Sequence, residues 1–401
     1  MRVTEEAGIF QNQDFSWFFW FTLPIYPFSK RRTLRKEVVK DTIWTFDQVQ
    51  GIFYVVVPIR MTVVKLYGGG LFVYAPVAPT AECIHLVKEL VAEHGDVKYI
   101  VLPTISGLEH KVFVGPFARH FPQAKVFIAP NQWSFPLNLP LSWLGLPSQR
   151  TQVLPDDSQQ APFGEEFDYE ILEAIDLNLG KFSEVAFFHR RSRTLLVTDS
   201  VVAIPEAAPA IIQLEPYPLL FHAKDSATDI IPDNQANRCK GWQRIALFSM
   251  YFRPSVLEIK RWSQVFRDAF QAGDRSPKAY FGLYPFQWQP NWERAFADLR
   301  GNGRLFVAPI LQALILNRAP QETLNWVEKV AKWDFQRIIP CHLDSPLNAT
   351  PQEFRQAFSF LEREATIGKL PYHALPEEEF KILRQIDAGL SRSGIVPPSK
   401  L

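Results

Sequence analysis

The stretch VLPTISGLEHK, Val101 to Lys111, decides how the rest of the chain is read. It begins as an apolar strand, KYIVLP, hydrophobic on both faces as a central, covered strand would be. It then runs into a loop that sets an acid beside an imidazole, Glu109 and His110. Two other polar residues stand at equivalent places. Asp199 closes the strand-like TLLVTD, and His342 follows the strand-like RIIPC. Sites in α/β sheets gather where the carboxyl ends of strands open into loops. Two carboxylates and two imidazoles there form a donor set for one zinc, iron or manganese ion. A plainer reading stands beside it for each. Glu109 and His110 would be a hydrogen-bonded loop pair with a salt bridge to Lys111 or Arg119, Asp199 would cap a strand end or the next turn, and His342 would be a buried imidazole on backbone.

Working outward, GIFYVVVPI, MTVVKLY and GLFVYAPV read as strands, with YGGG turning into the third. TAECIHLVKELVAEHG reads as a helix capped by Thr80 and stopped by Gly95. FARHFP ends a short helix, and KVFIAP is a strand. Residues 131–162 read as a long loop packed by its own aromatics. FDYEILEAI, SEVAFFH and RTLLVTD are further strands, the last two joined by the polar turn RRS. From Asn234 the pattern turns helical in RPSVLEIKRWSQVFRDAF, NWERAFADLR, PQETLNWVEKVAKW and PQEFRQAFSFLERE, with FQRIIP as a late strand. The ending SRSGIVPPSKL reads as a loose tail. The order predicts an α+β protein whose two sheets are covered by helices.

The 401 residues carry a net charge of +1, which excludes a global field for nucleic acid or anionic lipid. Three cysteines without paired spacing, Cys83, Cys239 and Cys341, predict buried thiols in a reducing compartment rather than a disulfide framework. No apolar run is long enough to span a bilayer, and MRVTEEAG lacks the features of a signal peptide, so the chain is expected to act as made. FSWFFWFTLPIYPF followed by SKRRTLRK, residues 15–36, is a candidate for peripheral membrane contact. Its alternative is an arm whose aromatics cover the body. The remaining histidines lack a defensible partner spacing, although His120 suits a helix end and His189 a polar turn. The basic runs Lys30–Lys36 and His189–Arg193 read as solvated faces.

The order of these motifs resembles the metallo-β-lactamase superfamily, an αββα sandwich whose signature is HxHxDH, a lone His, an Asp and a final His. Laid on TISGLEH, Ile105 and Gly107 stand where the first two histidines belong, Glu109 replaces the Asp, and His110 is the last His. Asp199 matches the metal-bridging Asp and His342 the final His. The lone His would fall in AIDLNLGKF, where Asp176 or Asn178 is the nearest stand-in. The resemblance implies at most a single metal ion, held in the second position by Glu109, His110, Asp199 and His342, with Asp176 as an additional candidate. The longer run LPTISGLEHKVFVGPFARHFPQAKVFIAPNQWSFPLNLPLSWLGLP resembles a narrower group, the domain of unknown function 4336 family of cyanobacteria and plant plastids. That resemblance covers residues 41–364 and implies a cytoplasmic or plastid protein without an assigned activity. It predicts an N-terminal arm (1–40), a sandwich domain (41–364, helix-rich over 234–334) and a C-terminal extension (365–401).

Function stays open between three classes at this level. One is a metal-dependent hydrolase on an unknown small-molecule substrate, with Asp199 as candidate general base. Another is a non-catalytic scaffold that keeps the fold and docks a membrane or partner. The third is a binder holding an anionic ligand against Lys111 and Arg119.

Overall fold

The computed structural model describes residues 10–17, 25–105, 110–132, 140–178, 180–362 and 375–401. Within them the first sheet contains β1 (Ile25–Tyr26), β2 (Leu34–Val39), β3 (Ile43–Ile52), β4 (Val55–Lys65), β5 (Leu71–Tyr74), β6 (Val97–Leu102), β7 (Lys125–Ile128) and β8 (Thr151–Val153). Its order is β1-β3-β4-β5-β6-β7-β8, with β2 also on β3. β3, β4 and β5 pair antiparallel, while β5 to β8 run parallel. Parallel neighbours need crossovers, and α1 (Ala81–His94) and α2 (Lys111–Arg119) supply two of them. Thr80 caps α1 by accepting from the Cys83 N–H at 3.2 Å, and Gly95 ends it at a φ of 93°.

The second sheet contains β9 (Phe167–Ile171), β12 (Val185–His189), β13 (Thr194–Val197), β16 (Arg337–Pro340) and β17 (Leu347–Asn348), in the order β17-β16-β13-β12-β9. The ribbon of β10 (Ile175–Asp176) and β11 (Lys181–Phe182) lies between β9 and β12 in sequence. A second ribbon, β14 (Leu257–Ile259) with β15 (Phe286–Trp288), belongs to the helical part. That part holds α3 (Ala210–Gln213), α4 (Tyr217–Ala223), α5 (Gln235–Tyr251), α6 (Trp262–Phe270), α7 (Trp292–Arg300) and α8 (Pro309–Leu314). α9 (Pro320–Val330) and α10 (Pro351–Gln356) follow, then α11 (Lys381–Arg392).

The period of two along each strand sorts side chains between layers. Phe72 and Tyr74 of β5, Val101 of β6 and Phe127 of β7 meet Phe187, Leu196 and Ile339 of the second sheet in a shared core. Their neighbours Leu71, Val73, Ile100 and Val126 face the other way, onto Val87 and Leu90 of α1 and Phe117 of α2. On the far side, Phe188, Leu195 and Ile338 meet Trp326 and Val327 of α9 and Phe354 of α10. The result is helices, sheet, sheet, helices: the αββα sandwich that the sequence predicts.

Several expectations change in detail. GIFYVVVPI and MTVVKLY are not two strands. The chain turns at Phe53–Tyr54, and β4 then runs unbroken to Lys65, paired along its length with β3. The RPSVLEIK half of the expected helix is instead turn and β14, because Pro254 starts a turn closed by Leu257 N–H on its carbonyl. The long loop after Asn131 contributes β8 to the sheet edge. The tail is held: Lys400 N–H donates to the Asn317 carbonyl at 2.9 Å, and the Arg318 Nε donates to that of Pro397 at 2.8 Å. Gly241 lets α5 meet α4, since a Cβ there would lie 1.8 Å from the Leu219 carbonyl oxygen.

The described part of the basic, aromatic arm lies against the body. Phe15 is buried under the Arg32 guanidinium, and Trp17 meets Phe113 edge to face at 5.5 Å. Arg32 and the Thr33 N–H both reach Glu82 of α1, and Arg35 reaches Glu89 and the Leu86 carbonyl. These arginines of the run are therefore engaged rather than solvated.

Two histidines remote from the strand-end loops are buried neutral. Burial, with Arg191 adding to it, pushes His189 down to about 4, and burial pushes His222 down to about 4. A lowered native pKa means that the unfolded chain takes up the proton first. The stability is complete above the ordinary value of about 6.5 and is lost as pH falls toward 4. Each histidine is expected to contribute a slope of about 1.4 kcal/mol per pH unit in that window. Urea unfolding from pH 7 to 4.5 checks this. His222→Gln should flatten the dependence, and an unchanged slope would contradict the assignment.

Candidate functional site

The carboxyl ends of β5, β6, β13 and β16 open on one end of the sandwich. β13 and β16 are parallel neighbours, with Val197 opposite Pro340, so the residues that follow them emerge together. Asp199 and His342 consequently meet: the His342 Nε2 lies 3.1 Å from the Asp199 Oδ1. His110 arrives from the other sheet at the start of α2, its ring centre 6.4 Å from that of His342.

Both imidazoles are oriented by the first sheet. The Nδ1 of His342 sits 3.0 Å from the Pro58 carbonyl oxygen, and that of His110 sits 3.0 Å from the Pro76 carbonyl oxygen. A carbonyl only accepts, so each Nδ1 carries a proton. In a metal site this is the usual way in which an outer partner fixes the tautomer of a ligating histidine. For His342 it has a sharper consequence. A neutral ring with its proton on Nδ1 would point a lone pair at a carboxylate. The 3.1 Å contact is favourable only with a second proton on Nε2 or with a cation shared by the two groups.

Two buried charged residues that sequence reasoning missed hold this arrangement. Arg60 of β4 pairs with Asp47 opposite it on β3 at 2.6 and 3.2 Å. Its remaining donors reach the Pro340 carbonyl at 2.7 Å and the Leu343 carbonyl at 3.0 Å, on either side of His342. Glu184 is fully buried and accepts the N–H groups of Thr198, Asp199 and Ser200 and the Ser200 hydroxyl, at 2.7 to 3.0 Å. Burial and the neighbouring Asp199 push its carboxyl up against the pull of those donors. The signal for both was present: a charge inside an apolar strand, IRMTVV and SEVAFF, needs a partner.

The other expected residues fall as follows. Glu109 lies outside the described residues. Asp176 is exposed on the small ribbon and accepts the Asn178 N–H at 2.8 Å, a local turn, with no described contact to His110, Asp199 or His342. Lys111 is buried, donates to the Ile105 carbonyl at 2.6 Å and is lowered to about 8 by burial, so it ties together the two ends of the motif loop. Ile105 itself is in the core between the sheets. Cys341 is buried. Among the described residues no group of three or more His, Cys, Asp or Glu is close enough to hold a metal ion. The site there is the Asp199–His342 contact with His110 beside it.

A cavity of about 430 Å³ opens next to the same loops. Ala203 and Asp344 line it, together with Arg300, Arg304 and Gln312. The Asp344 N–H donates to the Ala203 carbonyl at 3.2 Å, joining the two loops there. One residue, Leu343, separates Asp344 from His342, a Cα span of at most about 7.6 Å.

Residues 40–360 match the family model described as Domain of unknown function (DUF4336). No curated protein sequence matches. Solved structures that resemble the chain include the metal-soaked Flv1 flavodiiron core from Synechocystis sp. PCC6803. There the identity is 10% and the TM-score 0.41, with 84% of this chain and 62% of that one covered. A putative diflavin flavoprotein A 5 fragment from Nostoc sp. PCC 7120 has 9% identity and a TM-score of 0.40 over 83% and 96% of the two chains. The DIM-1 metallo-β-lactamase has 9% identity and a TM-score of 0.39 over 82% and 98%. This chain thus spans less than two thirds of the flavodiiron core. Likenesses of this depth say nothing about a site, and the sandwich stands on its own sheet order.

Two substitutions test the supports. Glu184→Ala strands buried N–H groups at about 1–3 kcal/mol each and should lower stability by at least about 2 kcal/mol in urea unfolding. Arg60→Met leaves Asp47 unpaired and should cost about 3 kcal/mol. Unchanged midpoints would mean that these loops do not depend on either residue.

Proposed function

Since the chain belongs to the domain of unknown function 4336 family, which names no activity, we propose from the site itself that it is a metal-dependent hydrolase of a small-molecule substrate. The ion would be zinc, iron or manganese, held by His110, Asp199 and His342 together with Glu109. The observation that carries this reading is the Asp199–His342 contact, made by an imidazole whose Nδ1 is already committed to a carbonyl. Such a pair has the donor chemistry of a cation site. When bound, the ion would supply Lewis acidity and a water activated near neutral pH. The chain's own residues have separate tasks. Pro58 and Pro76 carbonyls orient the two rings, Glu184 fixes the backbone of Asp199, and Arg60 fixes that of His342. Asp199, about one-third exposed, would instead take a proton from a nucleophile where it does not ligate the ion.

A second reading has its own support. His342 with a second proton is a complete ion pair with Asp199, and Ile105 fills the core where the resemblance puts a first histidine. The chain would then be a scaffold with a structural pair in place of a metal.

Metal analysis separates the two. The purified chain, dialysed against zinc, manganese or anaerobic iron and then freed of excess, should retain a single ion. His110→Ala and His342→Ala should each weaken retention by roughly tenfold or more. A wild-type chain that retains none of the three ions would leave the scaffold reading.

A further inference from the structure

The helical part carries an apolar surface that the fold does not use. α6 buries only Val265 and Ala269. Trp262, Phe266 and Phe270 follow one another at four-residue spacing and are 63%, 54% and 74% exposed. At 100° per residue these three lie within an arc of about 80°, so they form one stripe along the helix. The Trp262 and Phe266 rings are in contact, with centres 6.0 Å apart.

The stripe is extended from two other segments. Ile230, 81% exposed, lies over Gly273 just beyond the helix, whose ideal Cβ would be 3.1 Å from the Ile230 side chain. Phe281, 63% exposed, follows Tyr280 in the left-handed region, at φ values of 60° and 49°. Non-glycine residues adopt that conformation at a cost. Gly282 then packs directly on the helix, with an ideal Cβ 2.7 Å from that of Ala272. Contiguous exposed aromatics on this scale mark an interaction surface.

Charge decides the kind of partner. Residues 259–281 hold Lys260, Arg261, Arg267, Arg275 and Lys278 against Asp268 and Asp274: five basic, two acidic, net +3. The chain as a whole is +1, so this segment is more basic than the chain average. Both acids are engaged, Asp268 with Lys260 at 3.1 Å and Asp274 with the Ser276 N–H at 2.8 Å. Arg261 and Arg267 are exposed on the helix that bears the stripe. A tryptophan and phenylalanines rimmed by arginine and lysine fit the boundary between headgroups and acyl chains of an anionic bilayer.

We propose that this face docks the protein peripherally on an anionic lipid surface. Trp262, Phe266, Phe270 and Phe281 enter the boundary region, and Arg261, Arg267 and Lys278 meet lipid phosphates. The proposal stands apart from the metal reading and from the described part of the N-terminal arm, which lies against the body.

The test uses the full chain and vesicles of phosphatidylcholine, alone or mixed with phosphatidylglycerol. Co-sedimentation should be strong with the mixed vesicles, weak with phosphatidylcholine alone, and lost in high salt. The triple variant Trp262→Ala, Phe266→Ala, Phe270→Ala and the pair Arg261→Glu, Arg267→Glu should each reduce binding by roughly tenfold or more. These side chains are exposed, and circular dichroism and urea unfolding confirm that the variants stay folded. Failure to bind the mixed vesicles overturns the proposal. Binding that survives the aromatic substitutions also overturns it and places the contact elsewhere, as in residues 15–36. Self-association abolished by the triple variant, without vesicle binding, makes the stripe a protein interface and overturns it as well.

Discussion

The guanidinium of Arg60 is the point on which the site end of the sandwich depends. It stands on a first-sheet strand and reaches across to carbonyls on both sides of His342, beyond the second sheet. Asp47 opposite compensates its charge, so a residue that is expensive to bury becomes a tie between layers. The isolated bridge between Ile59 and His342 continues the same contact through backbone. Without this tie, the two sheets would still share an aromatic and aliphatic core. The loop that carries His342 would lose a main tie to the first sheet.

The second-sheet side is built on the opposite charge. Glu184 gathers the backbone that follows β13 as Arg60 gathers the backbone that follows β16. A buried cation and a buried anion thus each organise one of the two loops that meet at the Asp199–His342 contact. Both use main-chain groups rather than one another as partners. The side chains then meet between the two loops, with the His342 Nδ1 on the Pro58 carbonyl and its Nε2 against Asp199. The position of that contact is set by the backbone on both sides.

The sandwich was legible because its strands obey a period of two and its covering helices carry clear stops, as Thr80 and Gly95 do for α1. The positions of Asp199 and His342 were legible because each closes an apolar run. What escaped had physical reasons. β4 reads as two strands because the charge of Arg60 separates GIFYVVVPI from MTVVKLY, yet that charge is what ties the strand to the carbonyls around His342. α5 is the longest helix among the described residues, but it is buried along much of its length and shows little amphipathic contrast. Arg60 and Glu184 are single letters in apolar strands, and no spacing in the sequence shows which distant carbonyls or N–H groups receive them. The aromatic stripe of α6 follows helical spacing, and such spacing ordinarily signals a core face. Only exposure in three dimensions shows that this stripe lies beside the buried face.

Ile105 shows how the start of the loop that leads to His110 is anchored. Its side chain is 1% exposed, packed between the sheets with Phe187 and Leu196 among the same cluster. Lys111 holds its carbonyl from the far end of the loop. A histidine placed there would have to seat two polar nitrogens in an apolar interior, so packing alone sets which side chains this position accepts.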